Sequence, residues 1–164
     1  MEFGGYIMVD KPTILQIFGC LMQHPQYLSE SDKYNLTPDD FYYRLDKYIF
    51  AAIDSLYRNG AERIQPIDVE NYLNTNESAK AIFKQQKGIE YLQDAEYLSE
   101  ETNFPYYYKK LKKFNLLESF KAKGFDTTEF YVEDAITPAA QAINEKFEKL
   151  EISDIVDGIK RKLL

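Results

Sequence analysis

The chain has 164 residues, 45% of them hydrophobic, which is too apolar for a disordered tail and enough to bury a folded core. Its formal net charge of −7 is uneven, with −8 over residues 1–102, +5 over residues 103–124 and −4 over the remainder. An acidic body argues against broad nucleic-acid binding, because duplex affinity comes mainly from neutralised phosphates, and it leaves the basic segment as the one place where an acidic partner could bind.

The spacing of apolar residues predicts an all-α fold, since no segment shows the alternation that is typical of a strand. We expect a disordered leader over residues 1–12 and a small helical globule over residues 13–102. A two-helix hairpin should follow over residues 103–150, and a C-terminal linker helix over residues 151–164.

Capping residues mark the first two helices of the globule. Thr13 is expected to cap the first helix, which Pro25 ends. The second helix has a fuller start signal in residues 37–40, where Thr37 is the expected cap, a proline follows and an acid stands at the capping-box position. Apolar residues at helical spacing then continue from residue 41 to an Asn-Gly stop at residues 59–60.

Three shorter helices are predicted before the hairpin. Asp68 is expected to cap the first of them. The segment Glu77–Lys87 forms the second, Gly88 breaks it, and residues 89–98 continue with a helical period.

The hairpin and the last helix also have start and stop signals. Asn103 is expected to cap the first hairpin helix, and Gly124 ends it, with Phe125 covering the end as in a Schellman motif. Thr137 is the expected start of the second hairpin helix, ahead of a proline in its first turn. Ser153 is the expected cap of the final helix.

Each of these last three helices has an apolar stripe. A two-helix arm cannot bury two stripes fully within itself, so it either packs back on the globule or meets a second copy. The residues of the hairpin stripes are Tyr107, Leu111, Phe114, Leu117, Ile143, Phe147 and Leu150. Those of the final helix are Ile155, Val156, Ile159 and Leu163.

The sequence lacks the groups that most enzymes need. There is no GxxxxGK[ST] phosphate loop, and one His (His24) with one Cys (Cys20) cannot supply the ligands of a zinc site. Asp39 and Asp40 resemble an acid–base pair, but their place in a first helical turn is explained by capping. We therefore expect no catalytic residue, no metal and no cofactor in this segment. A lone cysteine suits a reducing cytoplasm, and no apolar stretch approaches the ~20 residues of a membrane span.

Aromatic and basic residues alternate over residues 106–114. Three readings of this run remain open: contact with an acidic protein, a plain solvated surface, or nucleic-acid binding by stacking and charge. The aromatic residues 106–108 spread around the helix and cannot form one platform, which favours the protein contact. The basic residues proposed to make it are Lys109, Lys110, Lys112 and Lys113.

An ordered set of motifs resembles the N-terminal domain of DnaB-type replicative helicases, from about residue 14 to residue 164. The loop over residues 61–65 is longer than in the usual pattern, and Leu45 and Asp46 stand where the family often has a histidine. These departures suggest a phage or prophage version. The matching motifs are Thr37-Pro38-Asp39-Asp40-Phe41-Tyr42, Tyr48-Ile49-Phe50-Ala51-Ala52-Ile53, Leu56-Tyr57-Arg58-Asn59-Gly60, Pro66-Ile67-Asp68, Gly88-Ile89-Glu90-Tyr91-Leu92 and residues 103–107.

The resemblance implies a domain that assembles and docks without catalysing. In that family hairpins pair, three pairs form a collar on a hexameric ring, and the collar binds primase and loader proteins. The helix that follows, here residues 153–164, links to the motor and docks on a neighbouring subunit. ATP and Mg are then expected only in an ATPase motor domain outside this segment, and DNA contact only indirectly.

Three hypotheses follow from the sequence. The first is an assembly and docking domain of a cytoplasmic replicative helicase, without membrane contact, whose hairpin stripe forms a two-fold interface and whose final-helix stripe docks on a neighbour. The second is a stand-alone phage protein that binds or inhibits the host replication machinery. The third is a nucleic-acid-binding regulator that uses the basic helix over residues 106–123.

Overall fold

The computed structural model describes residues 8–163, which contain eight α-helices, three 3-10 turns and no β-strand. The all-α prediction is confirmed. The helices are α1 (Lys11–Gln23), α2 (Arg44–Arg58), α3 (Pro66–Leu73), α4 (Glu77–Gln85), α5 (Gly88–Leu98), α6 (Phe104–Ala122), α7 (Pro138–Lys149) and α8 (Ile152–Lys162).

The chain forms two compact units, and the division falls inside α6, between residues 108 and 109. The first unit comprises residues 10–108. The second comprises residues 109–163 together with residues 8–9 at the start of the described chain.

The first unit is organised around α1 and α5. Side-chain amides join them: Gln16 Nε2 donates to the Leu98 carbonyl at 2.8 Å, and Gln23 Nε2 donates to the Glu96 carbonyl at 3.0 Å. The core is apolar, and its largest fully buried side chains include Phe18, Phe41, Phe50, Phe104, Ile17, Ile49, Ile53 and Leu92.

The first helix begins earlier than predicted. The Asp10 carboxylate accepts from the backbone N–H of Thr13 at 3.1 Å, so Asp10 is the cap and Lys11 the first helical residue. Thr13 as the cap is therefore wrong, because an acid three residues upstream and Pro12 in the first turn provide a better start. The helix thus occupies the end of the expected leader, of which residues 1–7 lie outside the described residues.

The start signal at Thr37 belongs to a short turn instead of α2. Asp40 accepts from the Thr37 N–H at 2.9 Å around the 3-10 turn Pro38–Asp40. The chain is then extended at Phe41, whose ring is 1% exposed, and α2 starts at Arg44. The buried position of Phe41 overrides the local helix signal, so the prediction of one continuous helix is wrong.

The three shorter helices occur as predicted, with one shifted cap. Gln65 precedes α3, and Asp68 accepts from its N–H at 2.9 Å, so Asp68 is the acid of the capping box and not the cap itself. The break before α5 is at Lys87, which has φ of 55°, and Gly88 is the first residue of α5.

A cluster of aromatic rings fixes the start of α6 on the first unit. Phe104 stacks on Tyr27 with ring centroids 4.3 Å apart and meets Tyr34 edge-on at 5.0 Å. The Tyr108 hydroxyl accepts from the backbone N–H of Asn35 at 2.9 Å. The polar connection after α1 is held in place by these contacts.

The end of α6 is the predicted Schellman motif. The Phe125 N–H donates to the Phe120 carbonyl and the Gly124 N–H to the Lys121 carbonyl, at 3.1 and 3.0 Å. Gly124 has φ of +95°, a conformation that a side chain would strain. The rings of Phe120 and Phe125 meet edge-on at 5.8 Å and cover the helix end.

The last two helices start near their predicted caps. Thr137 accepts from the Ala140 N–H at 3.1 Å, which confirms the start of α7. The predicted cap of α8, Ser153, is wrong: Glu151 is the cap, and Asp154 accepts from its N–H at 2.9 Å. An acid at the third helical position makes the earlier start the better one.

Candidate protein-docking surfaces

Most of the residues expected to form a two-fold interface are buried within the chain. Leu117 is 0%, Leu111 1%, Phe147 1% and Phe114 5% exposed. Phe114 and Phe147 are in edge-on contact at 5.2 Å. The expectation that these four residues offer a surface to a second copy is wrong, because the folded chain covers them itself.

The other three expected interface residues are only partly buried. Leu150 packs against the core of the second unit. Tyr107 makes an edge-on contact with Tyr106 at 5.0 Å, and Tyr106 is 48% exposed. Ile143 lies on α7. Beside it, the Asn144 side chain accepts a hydrogen bond from the Val132 N–H and donates one to the Val132 carbonyl, both at 2.8 Å. No single apolar stripe remains open along these residues.

The apolar face of α8 is also largely used within its own unit. Ile155 and Ile159 are 0% and 2% exposed and belong to the same core as Phe114 and Phe147. Val156 is partly buried, whereas Leu163 is 67% exposed. The expected docking of this face on a neighbour is therefore contradicted for Ile155 and Ile159, which hold α8 on residues of its own chain.

The connection between α6 and α7 supplies the cover that sequence reasoning missed. Phe130 is 8% exposed and belongs to this core, and Tyr131 contacts Phe114 edge-on at 4.9 Å. The available signal was the adjacent pair Phe130 and Tyr131 within this connection.

Lys113 is a helix-capping residue and not part of an exposed basic surface. Its side chain is buried, with 3% of the residue exposed, and its ammonium group donates to the carbonyls of Phe147, Glu148 and Leu150 at 2.5, 3.3 and 3.1 Å. A cation at a helix C-terminus satisfies orphan carbonyls and opposes the negative end of the dipole. Burial, together with the nearby Lys109 charge, lowers the pKa of Lys113, whereas the carboxylates of Glu148 and Glu151 oppose that shift.

The rest of the basic stripe is partly engaged as well. Lys109 pairs with Glu151, the cap of α8, and so joins α6 to the start of that helix. Lys110 and Lys112 are half-buried. The expected contact with an acidic partner is contradicted for Lys113, whereas Lys110 and Lys112 keep partly accessible charges.

The first unit contains a polar cluster around one buried carboxylate that the sequence did not predict. Asp46 is 1% exposed and accepts from the Tyr91 hydroxyl at 2.8 Å and from Lys11 Nζ at 3.3 Å. The Lys11 ammonium also lies over the rings of Tyr43 and Tyr91, at 4.6 and 4.9 Å from their centroids. Burial raises the pKa of Asp46. The cluster ties α1, α2 and α5 together.

The residues considered for chemistry have structural roles. Cys20 is buried, its thiol points to the Glu100 carbonyl at 3.5 Å, and burial raises its pKa to about 12. His24 Nδ1 lies 3.5 Å from a Glu101 carboxylate oxygen. Within residues 8–163, no three His, Cys, Asp or Glu side chains are arranged to hold a metal ion.

Scattered apolar side chains remain exposed on both units. Ile67 on α3 is 48% exposed, and Ile136, just before α7, is 86% exposed. In the part of the chain that the structure describes, no helix has the length and hydrophobicity that a membrane span requires.

Comparisons with known proteins agree with the motifs. A family model described as the DnaB-like helicase N terminal domain matches residues 15–113. The chain is similar to the SPbeta prophage-derived protein YorI of Bacillus subtilis (strain 168), with 36% identity over 159 residues. That match covers 96% of this chain and 32% of the relative, so the chain spans about a third of the relative's length. No solved structure matches. The resemblance to a phage or prophage version of the family is confirmed.

Proposed function

Because the chain belongs to the family of DnaB-like helicase N-terminal domains, a non-catalytic domain type, we propose that it is the assembly and docking domain of a replicative DNA helicase. The observation that carries this proposal, besides the family, is a closed core in each unit with large apolar side chains left outside it. In the second unit the most exposed of these are Ile136 and Leu163, at 86% and 67%.

Self-association would use the exterior of the second unit, since its interior is already filled. The isolated domain would pair as a homodimer, and the full-length protein would form a hexamer as a trimer of such dimers. Primase and a helicase loader are the proposed partners. ATP and Mg would be needed by a motor domain elsewhere in the full-length protein, and DNA would be contacted only through that motor.

Sedimentation velocity over a range of concentrations tests the assembly role. Replacing Ile136 by Asp places a charge where an exposed apolar side chain stood, and it should weaken dimerisation at least about tenfold. The matched control is Ile67→Asp, an equal change on the first unit, which should leave dimerisation unchanged. A wild-type chain that stays monomeric up to about 100 µM would contradict the proposal.

A stand-alone phage protein that binds the host replication machinery is a second candidate, favoured by the prophage origin of the relative. The reading frame that encodes the chain separates the two. A phosphate-loop motif within the same frame supports the helicase domain, whereas a stop codon directly after Leu164 supports the stand-alone protein.

A further inference from the structure

A groove in the first unit has features that indicate the chemistry of a binding partner. It has a volume of about 540 Å³ and lies between α5 and the start of α3, with Ile67 and Ile89 among its lining residues. Ile67 is 48% exposed and Ile89 is half-buried. Resting on the proposed docking function, we propose that this groove binds a cationic, amphipathic helical segment of a partner protein.

The wall of the groove is held rigidly. It is formed by the loop over residues 61–65, in which Ile64 is fully buried and donates its N–H to the Met22 carbonyl at 2.8 Å. On the same loop, Arg63 reaches Glu96 of α5 at 3.7 Å. A site whose walls are fixed beforehand loses little conformational entropy on binding, so a small contact area suffices for measurable affinity.

The dimensions of the groove suit a short helix. Ile89, Gln93 and Glu96 line it at positions i, i+4 and i+7 of α5, a length of about 10 Å along the helix axis. A partner helix of two to three turns could insert one or two apolar side chains between Ile67 and Ile89. This is the helix-in-groove mode of recognition, in which apolar anchors recur every three or four residues.

The charges around the groove favour a basic occupant. Glu70 and Glu96 are half-buried in its lining, and Arg63 is the one cation there and faces Glu96. Residues 1–102 carry a net charge of −8. Lysines or arginines beside the apolar anchors would therefore be attracted, and acidic segments or nucleic acid would be repelled.

The test uses the full chain and a synthetic helical peptide with leucines on one face and lysines on the other. Its counterpart has every lysine replaced by glutamate. Fluorescence anisotropy should show binding of the lysine peptide with Kd on the order of 10–100 µM and at least tenfold weaker binding of the glutamate peptide. Raising the salt concentration should weaken binding of the lysine peptide.

Variants locate the site. Ile67→Asp should weaken lysine-peptide binding at least tenfold, and Glu70→Gln about threefold, whereas Ile136→Asp should have no effect. Ile67 is in the first turn of α3, where an acidic residue suits the helix dipole, so this variant should fold, and circular dichroism checks it. Glu70→Gln provides an independent test that changes no packing.

Several results would overturn the inference. One is equal binding of the two peptides, and another is lysine-peptide binding that survives both Ile67→Asp and Glu70→Gln. A loss of self-association in Ile67→Asp would show that a second copy occupies the groove instead. The effect of Ile136→Asp on sedimentation is a separate measurement, so failure of the groove leaves the assembly proposal standing, and the reverse also holds.

Discussion

Replacing Gly158 by Ala tests whether α8 is held on its own unit. In a solvent-exposed helix this change stabilises by about 1 kcal/mol, because alanine is the better helix former. Here a Cβ on Gly158 would lie 2.5 Å from Phe130 Cζ and 2.9 Å from Phe130 Cε1. Carbon atoms normally approach to ~3.5 Å, so the ring must move by about 1 Å.

Overpacking of this kind costs about 1–3 kcal/mol, since Phe130 is 8% exposed and backed by the core of its unit. After subtracting the gain in helix propensity, we expect a net loss of about 1 kcal/mol in the free energy of unfolding. Urea unfolding measures the loss. Hydrogen exchange should show the α8 amides opening about fivefold more often.

Asp157→Ala is the matched control on the same helix. Asp157 is exposed, so this change should raise stability by a few tenths of a kcal/mol through helix propensity alone. The sign of the change in unfolding free energy caused by Gly158→Ala decides whether α8 packs on its own unit. If both variants stabilise the chain, α8 is not packed on Phe130 and the assignment of Ile155 and Ile159 to the core is refuted.

Three further predictions concern the buried polar groups. Lys113→Met keeps the aliphatic stem but removes the cap of α7, so it should lower the free energy of unfolding by about 2 kcal/mol. Urea titration measures this change, and an unchanged free energy would show that water replaces the ammonium group. Because burial raises the pKa of Asp46, the folded state binds its proton more readily, and the stability of the wild type relative to Asp46→Asn should fall as pH rises from about 4 and level off above the raised pKa. Urea unfolding at several pH values checks this, and a difference that is constant with pH contradicts it. With its pKa raised to about 12, Cys20 should react with a thiol reagent at pH 8 at least about 100-fold more slowly in the folded chain than in urea, whereas equal rates would mean an accessible thiol.

Local patterns were sufficient to predict the helices and several of their ends. The Schellman end at Gly124 and the cap at Thr137 depend only on residues a few positions apart, and both are confirmed. The wrong caps at Thr13 and Ser153 were also local errors. In each case an acid one to three residues upstream was overlooked as the better start of the helix.

Long-range burial could not be predicted in the same way. The extended chain at Phe41 and the polar cluster around Asp46 depend on helices distant in sequence, which periodicity does not report. A lysine that is one of four within residues 109–113 is expected to be a solvated charge, and only the position of the α7 C-terminus reveals that Lys113 caps that helix. The same limit applies to the groove, because Ile67 and Ile89 come together only through the fold.

Because the apolar stripes form the core of the second unit, substitutions within them cannot be used to test assembly. A charge at Phe147, 1% exposed, would remove a core ring and bury a carboxylate without a partner. Loss of such a ring alone costs about 3–5 kcal/mol, which approaches the whole stability of a small domain. Phe147→Asp should therefore abolish the helical signal of residues 109–163 together with any association, and it cannot report on an interface. Only a variant such as Ile136→Asp, whose site is 86% exposed, can separate two copies while the fold persists. A lower sedimentation mass therefore reports on the interface only if the variant keeps its helical signal.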